Sequence, residues 1–271
     1  MARASLLAIV GPTASGKTAA SLDIAQRFDG EIICADSRTI YRGMDIGTAK
    51  PTLNEQALVR HHLLDILNPD ERFTVADFQR LANEAIKDIQ SRGKLPIISG
   101  GTGLYVDAVL YNYSFRHDRD PKLHATLLTE TNEQLQRRIQ GLGVELNNSD
   151  YHNPRRLIRA IETAGQPSAK HELRAGAAIV GINPGREIVL QRITQRVVLM
   201  MEQGFYEEVC ALGQRYGWDT EAMSGIGYRL MGEVVRGEKS IQEAQAEFIQ
   251  GDWSLAKRQI TWLKRNPDIQ V

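Results

Sequence analysis

Cysteine, a charge excess and long apolar runs are all scarce in this chain. Only Cys34 and Cys210 occur in 271 residues, and neither has a partner at metal-ligand spacing. One possible pair is not a disulfide framework, so reduced thiols and a cytoplasmic location are expected. Lys plus Arg and Asp plus Glu both number 33, so the formal net charge is zero. Total charge therefore carries no argument for a nucleic-acid partner, and local clusters would have to. No apolar run approaches the ~18 residues of a membrane span, so no membrane partner is expected. The run at Leu6-Leu7-Ala8-Ile9-Val10 is too short for a signal peptide and leads straight into a Gly-rich loop. Internal repeats and low-complexity tracts are absent. Hydrophobic content of 42% and charged content of 24% exclude a disordered or fibrous chain.

What is present is an alternation of buried strands and helices. Residues 6–10 are a short continuous apolar run, the pattern of a strand covered on both faces, and 31–35 and 95–99 read as two further buried strands. Helical stretches separate them; the second opens with a Thr74–Asp77 capping-box pattern and ends at Gly93. The order predicts an α/β fold with a parallel sheet flanked by helices, whose ligands gather at the carboxyl ends of the strands. From Tyr111 the strand patterns stop and polar helices begin, with Asp120-Pro121 and Asn153-Pro154 as helix starts. Residues 111–177 read as a helical insertion domain, and 1–110 with 178–271 as the core domain. Ala178–Val180 with Gly181-Ile182-Asn183 reads as a return strand, and Pro184 to about Arg265 as mostly helical, with Leu199, Met200 and Met201 in helix packing.

Gly11-Pro12-Thr13-Ala14-Ser15-Gly16-Lys17-Thr18 fits G-x-x-x-x-G-K-[ST] without mismatch, after a buried strand and before a helix. Glycines let backbone N–H groups turn toward phosphate oxygens, the helix N-terminus adds positive potential, Lys17 supplies a cation and the Thr18 hydroxyl can bind Mg²⁺. Gly11, Thr13, Ala14, Ser15, Gly16, Lys17 and Thr18 are thus candidate diphosphate ligands. The loop says diphosphate or triphosphate and does not say which reaction follows. Asp36 closes the second strand, where a carboxylate can serve as metal partner, as base for an acceptor nucleophile, or as a turn cap. Basic residues cluster at Arg155, Arg156 and Arg159, and again at Lys257, Arg258, Lys264 and Arg265. Such clusters neutralise phosphates in some proteins and are solvated faces in others. His61 and His62 are adjacent, so they face apart and are not a metal pair. Trp253 and Trp262 could stack on bases or belong to the core.

Several blocks together resemble the tRNA dimethylallyltransferase family. They are Ala35-Asp36-Ser37, the stretch from Ile40 to Pro51, His61-His62-Leu63-Leu64-Asp65, Gly100-Gly101-Thr102-Gly103-Leu104-Tyr105, Arg155-Arg156-Leu157-Ile158-Arg159, Ile226-Gly227-Tyr228-Arg229 and Ala256-Lys257-Arg258-Gln259-Ile260-Thr261-Trp262. The resemblance is colinear over nearly the whole chain. It implies a P-loop NTPase-like fold and transfer of a dimethylallyl group from dimethylallyl diphosphate to N6 of adenine 37 in the tRNA anticodon stem-loop, with Mg²⁺ and as a monomer. It implies catalytic roles for Asp36, Thr102 and Lys17. It implies tRNA contacts at Asp36, Ser37, Arg38, Thr39, Arg155, Arg156, Arg159, Gly227, Tyr228, Arg229, Lys257, Arg258 and Gln259. The chain departs from the family in carrying Thr39 where many members have Gln, in an insertion that reads as shorter than usual, and in Gly251-Asp252-Trp253 where members often have Thr-Arg. Two other enzymes share part of the pattern, an ATP-dependent small-molecule kinase and a prenyltransferase acting on free adenine nucleotides. The signature blocks and the basic clusters separate both from the first reading. A non-enzymatic tRNA-binding protein is the third alternative.

Overall fold

A computed structural model describes residues 4–115, 120–166 and 168–270; residues 116–119 and 167 of the expected insertion lie outside the described residues. The chain divides into two compact units, Met1–Leu110 with Leu173–Val271, and Tyr111–Glu172. The second boundary thus falls ahead of the return strand.

The first unit begins β1 (Leu6–Val10), α1 (Lys17–Phe28), β2 (Gly30–Ala35), α2 (Leu53–Leu58), β3 (His61–His62), α3 (Val75–Ser91), β4 (Leu95–Gly100) and α4 (Gly103–Leu110). The second unit holds α5 (Pro121–Leu128), α6 (Asn132–Gly141), α7 (Asn148–Tyr151) and α8 (Pro154–Glu162). The first unit resumes with β5 (Ala177–Gly181), α9 (Arg186–Glu202), α10 (Phe205–Tyr216), α11 (Ile226–Val235), α12 (Ile241–Arg265) and β6 (Ile269–Gln270).

The six strands form one parallel sheet in the order β3-β2-β4-β1-β5-β6. Leu6, Ala8, Ile9 and Val10 have no exposed surface, which explains the unbroken apolar run. Register matters more than composition for the site. Val10 pairs with Gly100 and Gly181, and Ala35 also pairs with Gly100. The next residues, Gly11, Asp36 and Gly101, therefore leave the sheet in one row at its carboxyl edge. The chain runs from β1 to β2 on one side and from β4 past β1 to β5 on the other, so the topological switch point lies between β1 and β4.

The edge of the sheet is held by charge. Glu31 is 3% exposed and takes bidentate hydrogen bonds from Arg92, with His62 Nε2 2.7 Å from its Oε2. These bonds, Arg92 first, hold its carboxyl at about 2 against the opposing effect of burial. Beyond the carboxyl end of β2, Ile40, Tyr41 and Met44 pack with Phe205, Tyr228 and Phe248. Glu208 of α10 fastens the following loop by accepting from the N–H groups of Asp45, Ile46 and Gly47. Of the three residues expected in helix packing, Met200 is buried and Leu199 is half exposed. The second unit has its own core of Leu127, Leu135, Ile139, Leu157, Ile158 and Ile161.

Candidate functional site

The Gly-rich loop turns back on itself between β1 and α1. Gly16 has φ +95°, a conformation costly for any residue with a side chain, and α1 starts at the next residue. Ala14 accepts φ 60° in the same loop. The Ser15 hydroxyl is buried without a partner, an arrangement suited to an incoming oxygen. Lys17 Nζ donates to Pro12 O at 3.2 Å. Burial lowers its amine to about 8, Asp36 opposes the shift and Arg196 adds to it.

Residues 13–18 line a cavity of about 540 Å³ together with Asp36, Thr39, Ser99, Arg192 and Arg196. Asp36 thus faces the same space as Lys17 and Thr18. Its Oδ1 also accepts from the N–H groups of Arg38 (2.8 Å) and Thr39 (3.3 Å), so the turn-cap geometry is present as well. The Thr39 hydroxyl is buried without a partner. Thr102 does not line this cavity; its Oγ1 accepts from Ser37 N–H at 3.3 Å and fixes the chain just after Asp36. Arg38 tethers the 221–224 turn by donating to Glu221 O and Ala222 O and to Ser224 Oγ.

Three residues expected to touch RNA are occupied internally. Gly227 is buried in α11, and a Cβ there would lie 2.5 Å from the Phe248 ring. Tyr228 is 2% exposed and donates its hydroxyl hydrogen to Glu208 Oε1 at 2.6 Å, so burial raises its phenol well above the ordinary value. Gln259 accepts from Thr13 N–H at 2.8 Å and donates to Gly101 O at 2.9 Å, bracing the P-loop against the β4 loop. For these three, the contacts made within the chain are packing and loop bracing. Arg229, Lys257 and Arg258 are exposed, with Arg229 paired to Glu233. In the second unit Arg155, Arg156 and Arg159 are exposed along α8, beside the buried Leu157, Ile158 and Ile161.

His62 is committed to Glu31, and no group of three or more His, Cys, Asp or Glu able to hold a metal occurs among the described residues. Trp262 lies against Gly103 and donates from Nε1 to Asp107 Oδ2 at 3.0 Å, an intramolecular role. Trp253 is half-buried, with Arg186 and Lys257 over its ring.

Sequence reasoning missed the side chains behind the loop. Arg192 donates to Ser15 O at 3.1 Å. Arg196 donates to Thr13 Oγ1 at 2.7 Å and to Asp252 Oδ2 at 2.5 Å. A local signal existed. Val189, Ile193, Val197 and Met200 form the buried stripe of α9, and the two arginines sit four residues apart along its flank.

A glycine-rich turn from a central parallel strand into a helix, with a lysine, a hydroxyl and a strand-end carboxylate on one cavity, defines a protein of the P-loop-like α/β class. The IPP transferase family model matches residues 39–266. The chain is 42% identical to the tRNA dimethylallyltransferase of an Exiguobacterium species, over 99% of this chain and 90% of that protein. It is 39% identical to that of Bacillus pumilus, over 97% and 88%. The crystal structure of the tRNA isopentenylpyrophosphate transferase from Bacillus halodurans is 36% identical, with a TM-score of 0.76 over 98% of this chain and 88% of that one. The chain belongs to the tRNA dimethylallyltransferase family.

Proposed function

We propose that the chain transfers a dimethylallyl group from dimethylallyl diphosphate to N6 of adenine 37 in the tRNA anticodon stem-loop and releases diphosphate. The observation that carries the reading is the shared cavity, in which Asp36 faces the P-loop that supplies Lys17 and Thr18. The adenine N6 attacks the allylic carbon, the bond from that carbon to the diphosphate oxygen breaks, and the N6 proton passes to Asp36. Negative charge grows on the departing diphosphate, where Lys17, the unpartnered Ser15 hydroxyl and the N-terminus of α1 can stabilise it. Thr102 holds Ser37 and with it the chain carrying Asp36. An aromatic amine is a weak nucleophile, so positioning matters as much as basicity.

The Thr18 hydroxyl and the Asp36 carboxylate are hard oxygen donors suited to Mg²⁺, and too few to cage it without oxygens from the substrate. When bound, the ion would neutralise developing charge on the diphosphate. Adenine 37 must leave its stack to reach such a cavity, which costs least in a single-stranded loop. Arg155, Arg156, Arg159, Lys257 and Arg258 offer exposed positive charge for the RNA backbone. No helix among the described residues is long and apolar enough to cross a membrane. We further propose a monomer working in the cytoplasm.

The test is mass spectrometry of tRNA nucleosides after incubation with dimethylallyl diphosphate and Mg²⁺. The expected product is N6-dimethylallyl adenosine, lost in Asp36→Ala. Unmodified tRNA from the wild type would refute the reading. Transfer to free AMP instead would give the reaction a different acceptor. Protection by ATP and not by dimethylallyl diphosphate would favour a kinase.

A further inference from the structure

Arg196 reaches the diphosphate cavity from α9, and its charge is offset from behind. Asp252 of α12 takes its Nη2 hydrogen bond at 2.5 Å, while Nη1 donates to Thr13 Oγ1 at 2.7 Å. Asp252 is 5% exposed and does not line the cavity. Its geometry is that of a fixed counter-ion, held too deep for solvent to screen. Two consequences follow for the cavity. Thr13 Oγ1 accepts from Arg196, so the hydroxyl's own hydrogen can turn to a ligand. Asp252 offsets part of the positive charge that Arg196 brings beside Lys17, so the cavity attracts an anion less than its basic residues suggest.

We infer that Asp252 is a positioning residue of the transfer site, one that aims Arg196 at Thr13 and offsets its charge so that pyrophosphate leaves after each turnover. The inference rests on the reading of this cavity as a diphosphate site. It differs in sign from a merely structural role. Disturbed packing would weaken pyrophosphate binding, whereas loss of the counter-ion exposes an arginine to the anion and strengthens it.

Calorimetric titration of the whole chain with inorganic pyrophosphate and Mg²⁺ separates the two, with thermal melting alongside to show folding. Asp252→Asn, which keeps the shape and removes the charge, should bind pyrophosphate about tenfold more tightly, with slower dissociation and a lower product-inhibition constant. Asp252→Glu, which keeps the charge, should stay within about threefold of the wild type. Asp252→Thr replaces Asp252→Asn should the latter melt early. Unchanged or weaker pyrophosphate affinity in a folded neutral variant would overturn the inference, as would equal tightening in Asp252→Glu. Failure of the diphosphate reading has a separate signature: the wild type itself would not bind pyrophosphate, and Lys17→Met would change nothing. That result would sink both.

Discussion

Arg192 and Arg196 on α9, and Arg155, Arg156 and Arg159 on α8, are the same side chain in two settings. The α9 pair is turned against the P-loop, donating to Ser15 O, Thr13 Oγ1 and the buried Asp252. The α8 set is exposed, with Arg156 on Asp150 and Arg159 3.8 Å from Glu162. A guanidinium among fixed partners acts through geometry, and removing it strands a buried group. An exposed one acts through a screened field and can be replaced at little cost to the fold. The α9 arginines therefore belong to the architecture of the proposed diphosphate pocket. Those on α8 are suited to a mobile, salt-sensitive grip on a polyanion.

The largest break in that contrast comes from Arg196→Ala. It leaves Asp252 buried without its cation and should cost about 3–5 kcal/mol of stability, measured by urea unfolding. Replacing both partners with apolar residues of similar volume should recover most of the loss. A cost for Arg196→Ala below about 1 kcal/mol would place the pair with ordinary surface ion pairs.

The sheet edge offers a second inward-facing charge and a pH test. Arg92, then His62, hold Glu31 at about 2, below the usual carboxyl value of 4.5. A lowered carboxyl stabilises the fold above its unfolded value, and the contribution fades as pH falls from about 4.5 toward 2. Glu31→Gln should therefore lose about 2–3 kcal/mol at pH 7, with the difference from the wild type closing on acidification. Parallel unfolding curves at pH 7 and pH 3 provide the check, and a difference that stays constant would mean that Glu31 acts through shape alone.

The contrast also marks what could be read in advance. β1, β2 and β4 announce themselves because parallel strands buried on both faces need unbroken apolar runs. The P-loop is legible because its eight residues are contiguous, so spacing alone encodes the turn. Asp36 is legible because it directly follows an apolar strand, and the register of β2 with β4 carries it to the same edge as the loop. The braces were not. Gln259 meets Thr13 across 246 residues and Arg196 meets Asp252 across 56, separations that local periodicity does not encode. The block around Gly227 and Tyr228 invited a role in RNA binding, and its packing against Phe248 and bond to Glu208 could not be read from it. Buried Gly and Tyr in a helix look the same in sequence whether they serve packing or a ligand.

The smallest effect on the fold is expected where the proposed RNA-binding surface is most exposed. Replacing Arg155, Arg156 and Arg159 together by Gln should cost about 1 kcal/mol or less, because exposed pairs contribute little. The same protein should bind an anticodon stem-loop more weakly. The slope of log affinity against log salt should flatten by about 2, near 0.7 for each single-strand phosphate that is no longer neutralised. Pyrophosphate affinity should not move, since none of the three lines the P-loop cavity. Titrations at four or five salt concentrations separate the outcomes. A parallel but weaker line would mean that the variant has changed in shape rather than in charge. An unchanged line would make the α8 arginines a solvated face and shift the grip on RNA to Lys257 and Arg258.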